Sequence, residues 1–263
     1  MSVSTTKKLY GKMYGVGWHQ SMELGKTLSY YAPNSCSEET ITKYEELLEK
    51  LPAVADMFKT QFCYLFPAGA KSLIETSREG RIPSFDDFLD GNSKAQPFSN
   101  CLTLTNDDFS NFQYRDKDHI AVAFGLWWTS ARDFTSEGKP VYSFQSDKDH
   151  DEIDGGGFLW GEYGIGVDFQ HLLKLILIGK HDFHSTMLSD SPEGATRWGT
   201  SVQLTQRGVN AVSKFWQLDN FERAFTPQEC IQMAYKKNRK KTTGRQKAKA
   251  KAAVMKQMMA SIS

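Results

Sequence analysis

The spacing of hydrophobic positions changes period along this chain. Residues 37–51 repeat at helical spacing, with Tyr44, Leu47, Leu48 and Leu51 on one face, and Thr42 with Glu45 has the form of a capping box. Pro52 then interrupts, and 53–65 predicts a second helix that buries Val54, Met57 and Phe58. From about 101 the period drops to two. Leu102 and Leu104 alternate with polar residues, and Ile120, Val122, Phe124, Leu126 and Trp128 alternate in the same way, with Trp127 and Trp128 as packing residues on opposite faces. Residues 172–178 are a short apolar run suited to a buried strand, and 199–206 alternate again. Turns on Gly138-Lys139-Pro140 and Gly155-Gly156-Gly157 separate these segments, and short strands between Gly-rich turns point to a jelly roll or barrel. After 206 the pattern is helical, with a capping residue and N1 proline at Thr226-Pro227. Residues 1–35, with Gly11, Gly15, Gly17 and Gly25, read as irregular chain and turns, and 77–100 as a surface loop with short helical turns.

Charge changes this picture at one end. The net charge of +1 conceals ten Lys or Arg residues between Lys236 and Lys256, with no Asp or Glu after position 235. The remaining 22 basic residues face all 31 acidic ones, so residues 1–235 carry a formal −9 beside a tail of +10. Lys236, Lys237, Arg239, Lys240, Lys241 and Arg245 fit contacts to nucleic-acid phosphates, a nuclear import signal, or both. DNA is therefore the expected partner and the nucleus the expected location. No run of eighteen apolar residues exists, so no membrane span is expected, and the first eight residues lack the apolar stretch of a secretion signal. Cys36, Cys63, Cys101 and Cys230 form no CxxC pair and read as free thiols of a reducing compartment.

Two segments carry candidate chemistry. Tyr114-Arg115-Asp116 has the form of the His-x-Asp pair of non-haem ferrous sites, in which two imidazoles and one carboxylate leave three metal positions open. The first ligand here is tyrosine. His184 is placed to be the distant imidazole, and Arg197, thirteen residues later, to bind a dicarboxylate cosubstrate through its planar fork. Ser201 shares the strand face of Arg197 and adds a hydrogen-bond donor. A phenol binds metal well only as phenolate, its ordinary pKa is about 10, and phenolate favours ferric over ferrous iron. His119 and His181 fall on opposite faces from the site, while Asp118 shares the face of Asp116. His150, within the acidic run 147–152, reads as part of a solvated loop. Taken singly, Asp116 reads as a turn charge, His184 as a core histidine and Arg197 as half of a salt bridge.

The ordered set is more specific than its parts. Thr103-Leu104-Thr105, Asn111-Phe112, Arg115-Asp116-Lys117-Asp118, Phe124-Gly125-Leu126-Trp127-Trp128, Gly155-Gly156-Gly157-Phe158, His184-Ser185-Thr186 and the run Thr196 to Gln203 resemble the Tet/JBP-like family of 2-oxoglutarate- and Fe(II)-dependent oxygenases, its fungal branch above all. The resemblance covers roughly residues 10–216. It implies an α+β fold, a double-stranded β-helix (jelly-roll) core with flanking N- and C-terminal helices, divided into support (1–100), core (101–206), C-terminal helices (207–235) and basic tail (236–263). It also implies Fe(II) and 2-oxoglutarate as cofactors, Asp116 and His184 as catalytic iron ligands, Arg197 on 2-oxoglutarate, and oxidation of a methylated nucleobase, 5-methylcytosine in DNA most often. Tyr114 departs from the family's histidine, and this leaves two expectations open: a DNA-oxidising dioxygenase, or a catalytically degenerate homologue acting as a DNA-binding or interaction module.

Overall fold

The computed structural model describes residues 8–22, 27–33, 37–87, 96–144, 153–169 and 174–218. The basic tail, the expected helix at Thr226, His150 with its acidic run, Cys36 and Cys230 lie outside these residues.

Residues 8–20, read from the sequence as turns, form a long strand, β1 (Lys8–Gln20), which pairs with β2 (Leu28–Tyr30) and with β3 (Cys101–Asn111). Its glycines serve close backbone approach instead of chain reversal. Gly17 has φ +112°, and a Cβ there would sit 2.2 Å from the Asn100 carbonyl oxygen. Only glycine combines that left-handed backbone with that contact.

The helical region also departs from expectation. The two helices predicted on either side of Pro52 are one, α1 (Glu38–Leu65). Ser37 caps it, its hydroxyl accepting from the Thr40 amide at 3.2 Å, while Thr42 donates to the Glu38 carbonyl and takes no part in a capping box. Pro52 is exposed, so the Leu48 carbonyl that loses its partner lies on the water side of the helix. Leu51, Ala55, Phe58 and Phe62 form a continuous buried stripe through that point, and this packing outweighs the proline. Leu47 and Met57, expected inside, are exposed. A second helix, α2 (Pro67–Glu79), begins on Pro67. The segment that follows is not a surface loop where it is described: Ile82, Phe85, Phe98, Ser99 and Asn100 are buried.

The main sheet runs in the order β2, β1, β3, β12 (Ala195–Gln203), β4 (Val122–Phe134), β5 (Pro140–Phe144), with β9 (Lys174–Gly179) pairing the first half of β4. Every pairing between these strands is antiparallel. A smaller sheet holds β10 (His184–Thr186), β7 (Phe158–Trp160) and β8 (Ile165–Val167). β11 (Ser189–Asp190) pairs with β6 (Asp154–Gly155). The helix α3 (Gln206–Gln217) follows directly on β12, capped by Thr205.

β4 is buried on both sides, and the two-residue period of its side chains feeds two cores. Phe124 and Leu126 face α1 and α2, where Phe62 stacks on Phe124 at 5.1 Å between ring centres. Ala123 and Trp127 face the smaller sheet, where they pack with Phe158, Phe169 and Ile178. Trp128 packs with the helical side, so the adjacent tryptophans lie on opposite faces as the alternation predicts. Phe62 is fully enclosed, and Phe62→Ala should lower the unfolding free energy by about 3–5 kcal/mol. Urea denaturation measures this, and a change well below that range would show that the helical layer is not fixed by the Phe62–Phe124 contact.

Candidate active site

The second core lies between the two sheets, and the predicted site residues converge on it. Tyr114 and His184 form an isolated antiparallel bridge, each amide donating to the other's carbonyl at 3.0 Å. Residues 115–117 then leave the sheet, so Tyr114 and Asp116 are not neighbours along one strand as expected. The loop nonetheless brings Asp116 Oδ2 to 3.3 Å from His184 Nε2. His184 is 1 % exposed and its ring stacks on Phe158 at 5.3 Å.

The hydrogen bonds around His184 define what its free nitrogen offers. Nδ1 lies 2.9 Å from the Asp182 carbonyl oxygen, which can only accept, so the ring proton is assigned to Nδ1. Nε2 then presents a lone pair, and it has no hydrogen-bond partner. Two acceptors, the imidazole nitrogen and a carboxylate oxygen, face each other in a buried place. Such a pair is unfavourable unless a proton or a metal cation lies between its members. An outer carbonyl that fixes the tautomer of an imidazole is also the usual support of a metal-binding histidine.

Asp118 lies deeper, where its backbone bridges Thr205. Its Oδ2 is buried without a partner, and burial, followed by the charge of Asp116, pushes its carboxyl up to about 8, with Lys180 opposing. Among the described residues no three of His, Cys, Asp and Glu converge on a common metal position. His119 instead contacts Gln206 at 3.2 Å on the surface, and His181 is exposed. Asp116 and His184 thus offer one carboxylate and one imidazole, and Tyr114 packs beside His184. Its ring centre lies 4.6 Å from that of His184. Loss of water around the Tyr114 hydroxyl, then the charges of Asp116 and Asp118, push its pKa well above the ordinary value, against a hydrogen bond from Asn111.

Arg197 stands on β12 and is buried against the same core, its Cζ 5.7 Å above the Phe169 ring. Phe169 stacks on Trp127 at 4.9 Å, and Trp127 meets Phe158 at 5.3 Å, so an unbroken row of rings joins Arg197 to His184. Nη1 donates to the Gly155 carbonyl at 2.6 Å and Nη2 to Ile153 at 3.4 Å, while Nε is buried without a partner. The Nε/Nη2 edge is the one that grips a carboxylate side-on, and here it holds one unused donor and one long bond. Burial lowers the Arg197 pKa, while Asp168 and Asp108 raise it. Gly156, at φ +75°, gives the guanidinium its room: a Cβ there would stand 2.3 Å from Nη1. Ser201 hydrogen-bonds Gln203 Oε1 at 2.8 Å.

Two of the five buried polar atoms that lack partners among the described residues, His184 Nε2 and Arg197 Nε, stand at the two ends of this row of rings. Sequence reasoning missed the Asp182 carbonyl, Gly156 and the Phe158–Trp127–Phe169 row. Gly156, Phe158 and Trp127 enter the sequence reading only within a turn, a packing pair and the family's ordered motifs, with no role at the site.

An antiparallel two-sheet core that encloses a carboxylate–imidazole pair and a guanidinium with an unused donor has the layout of a non-haem iron oxygenase. The model of the Tet-like 2OG-Fe(II) oxygenase superfamily matches residues 1–189, and the chain belongs to that superfamily. No curated protein matches it. The superfamily's cofactors are Fe(II) and 2-oxoglutarate. The residues fit both groups in part. His184 and Asp116 supply a metal's imidazole and carboxylate, and the Arg197 edge suits a carboxylate. Tyr114, a neutral phenol, does not fit ferrous iron.

Proposed function

We propose that this protein is a Tet-like dioxygenase acting on a methylated nucleobase in DNA, with iron held by Asp116 and His184 and 2-oxoglutarate by Arg197. The observation that carries the reading is the buried, partnerless Nε2 of His184 facing Asp116 Oδ2 at 3.3 Å. When bound, iron and 2-oxoglutarate supply oxidative decarboxylation, giving succinate, carbon dioxide and a hydroxylated methyl group. The protein's own residues do the positioning. Asp182 holds the His184 tautomer, Asp116 neutralises cationic charge, and Arg197 orients the cosubstrate through its free edge. The aromatic row of Phe158, Trp127 and Phe169 keeps water from the space between them. A base reaches such an enclosed site only by leaving the duplex stack.

Purified protein given Fe(II), ascorbate, 2-oxoglutarate and methylated duplex should release succinate and oxidised base, read by mass spectrometry, and His184→Ala should release neither. Absence of both products from the wild type would sink the oxygenase reading. Tyr114 favours a second reading, a DNA-binding or interaction module without turnover, because a neutral phenol is a poor third ligand.

The basic tail supports DNA as partner and the nucleus as location, on charge alone. Full-length protein should bind duplex at low salt at least roughly tenfold more tightly than residues 1–235, with a steeper salt dependence. Fluorescence anisotropy at two salt concentrations measures both, and equal affinities would remove the tail from the interface.

A further inference from the structure

We infer that the basic C-terminal segment of this chain docks on the exposed face of α1 in the free protein, setting an apolar and a cationic row of its own against an apolar and an acidic row of that helix. Leu47, Val54, Met57 and Tyr64 recur along α1 at steps of seven, three and seven residues, the spacing of a helix-to-helix seam. Leu47 is 42 % exposed, Met57 44 % and Tyr64 81 %, so this seam faces away from the core that Leu51, Ala55, Phe58 and Phe62 fill. Beside it Glu38, Glu45, Glu49 and Asp56 recur at steps of seven, four and seven, all exposed. Lys59 pairs with Asp56 at 2.9 Å, whereas Glu45 and Glu49 have no ion pair among the described residues.

The C-terminal segment carries the complementary pattern. At helical spacing Ala248, Ala252, Met255, Met259 and Ile262 share one face, and Arg245, Lys249 and Lys256 share the flank beside it. Methionine adapts its shape to an irregular apolar seam. Residues 236–263 hold no Asp or Glu while the rest of the chain is formally −9, so attraction within the chain acts before any partner arrives. The described residues also end on the helical side of the main sheet. In the last turn of α3, Trp216 Nε1 donates to the Arg81 carbonyl at 3.1 Å, just past α2, and Phe215 lies in the same core as Phe58 and Phe62. Residues 219–244 can span about 85 Å when extended, roughly twice the length of the 28-residue α1. Docked, the segment keeps its cations on α1 carboxylates and off other anions. On the DNA reading above, a duplex must displace α1 to reach them.

The test is to mix ordinary and heavy-isotope-labelled full-length protein, without DNA, and treat the mixture with a carbodiimide that couples lysine amines to carboxylates. Each link forms an amide bond with loss of water, and mass spectrometry maps it. Lys249 and Lys256 should couple to Glu45 and Glu49 within one isotope, in preference to carboxylates elsewhere on the protein. Two double variants, Leu47→Asp with Met57→Asp and Met255→Asp with Met259→Asp, change only exposed or C-terminal positions. Each, shown folded by circular dichroism, should lose those links at least about tenfold, since two apolar anchors are gone. No links, links spread evenly over the protein's carboxylates, or links that persist in both variants would overturn the inference. Links that join the two isotopes would overturn it as well, because they assign this face to a second copy. Duplex anisotropy decides the DNA reading separately, since the links are read with no DNA present.

Discussion

Tyr114→His is expected to raise succinate release from 2-oxoglutarate well above that of the wild type, with a parallel gain in ferrous affinity. The wild-type phenol is neutral at working pH, because lost hydration and two nearby carboxyl groups hold its pKa above the ordinary value. A neutral phenol gives a metal little. Imidazole offers a lone pair near neutral pH, and its nitrogens lie closer to the backbone than the tyrosine oxygen does. The reciprocal bridge to His184 should hold the new side chain where the old one was. Loss of even an outer hydrogen-bond partner of a metal ligand costs roughly 10–100-fold in affinity or activity, so restoring a direct ligand should gain at least about tenfold. Binding of Fe(II) under argon and succinate by mass spectrometry measure the two effects. A wild type without turnover beside an active Tyr114→His would identify a silenced enzyme. No gain in either quantity would show that position 114 does not face the metal.

Arg197→Gln should nearly abolish 2-oxoglutarate binding. The guanidinium offers the only buried cationic fork on this core among the described residues, with Nε unpaired and Nη2 on a 3.4 Å bond. Removing one partner of a buried, hydrogen-bonded charge pair costs about 2–5 kcal/mol, or roughly 30-fold upward in dissociation constant. The change has a structural side as well: the carbonyls of Gly155 and Ile153 lose their donors. The melting temperature should therefore fall too. Arg197→Lys keeps the charge without the fork and should fall between the two. Calorimetric titration with 2-oxoglutarate and a redox-inert divalent metal measures this. Unchanged affinity in Arg197→Gln would place the cosubstrate elsewhere.

Period-two alternation was legible because β4 and β12 lie in a sheet whose side chains feed different layers, and Trp127 and Trp128 separate as that period requires. Long-range closure was not legible. Gly11 and Gly17 look like turn residues unless Phe109 and Asn100 are known to lie against them. Pro52 looks like a helix end unless the burial of Leu51, Ala55, Phe58 and Phe62 is known. At the site, Asp116, His184 and Arg197 were found from spacing and family resemblance, and the structure gathers them on one core. Tyr114 and Asp116 do not share a strand face, because Asp116 reaches His184 from a loop. The Asp182 carbonyl carries no residue signature at all, since any residue can supply a backbone oxygen.

The reciprocal bridge between positions 114 and 184 has an evolutionary corollary. It ties main chain to main chain, so a change of side chain at 114 leaves both of its hydrogen bonds in place. Tyrosine and histidine codons differ only in their first nucleotide. A lineage carrying this scaffold can therefore pass between the two residues by a single transition, without rebuilding the surrounding sheets.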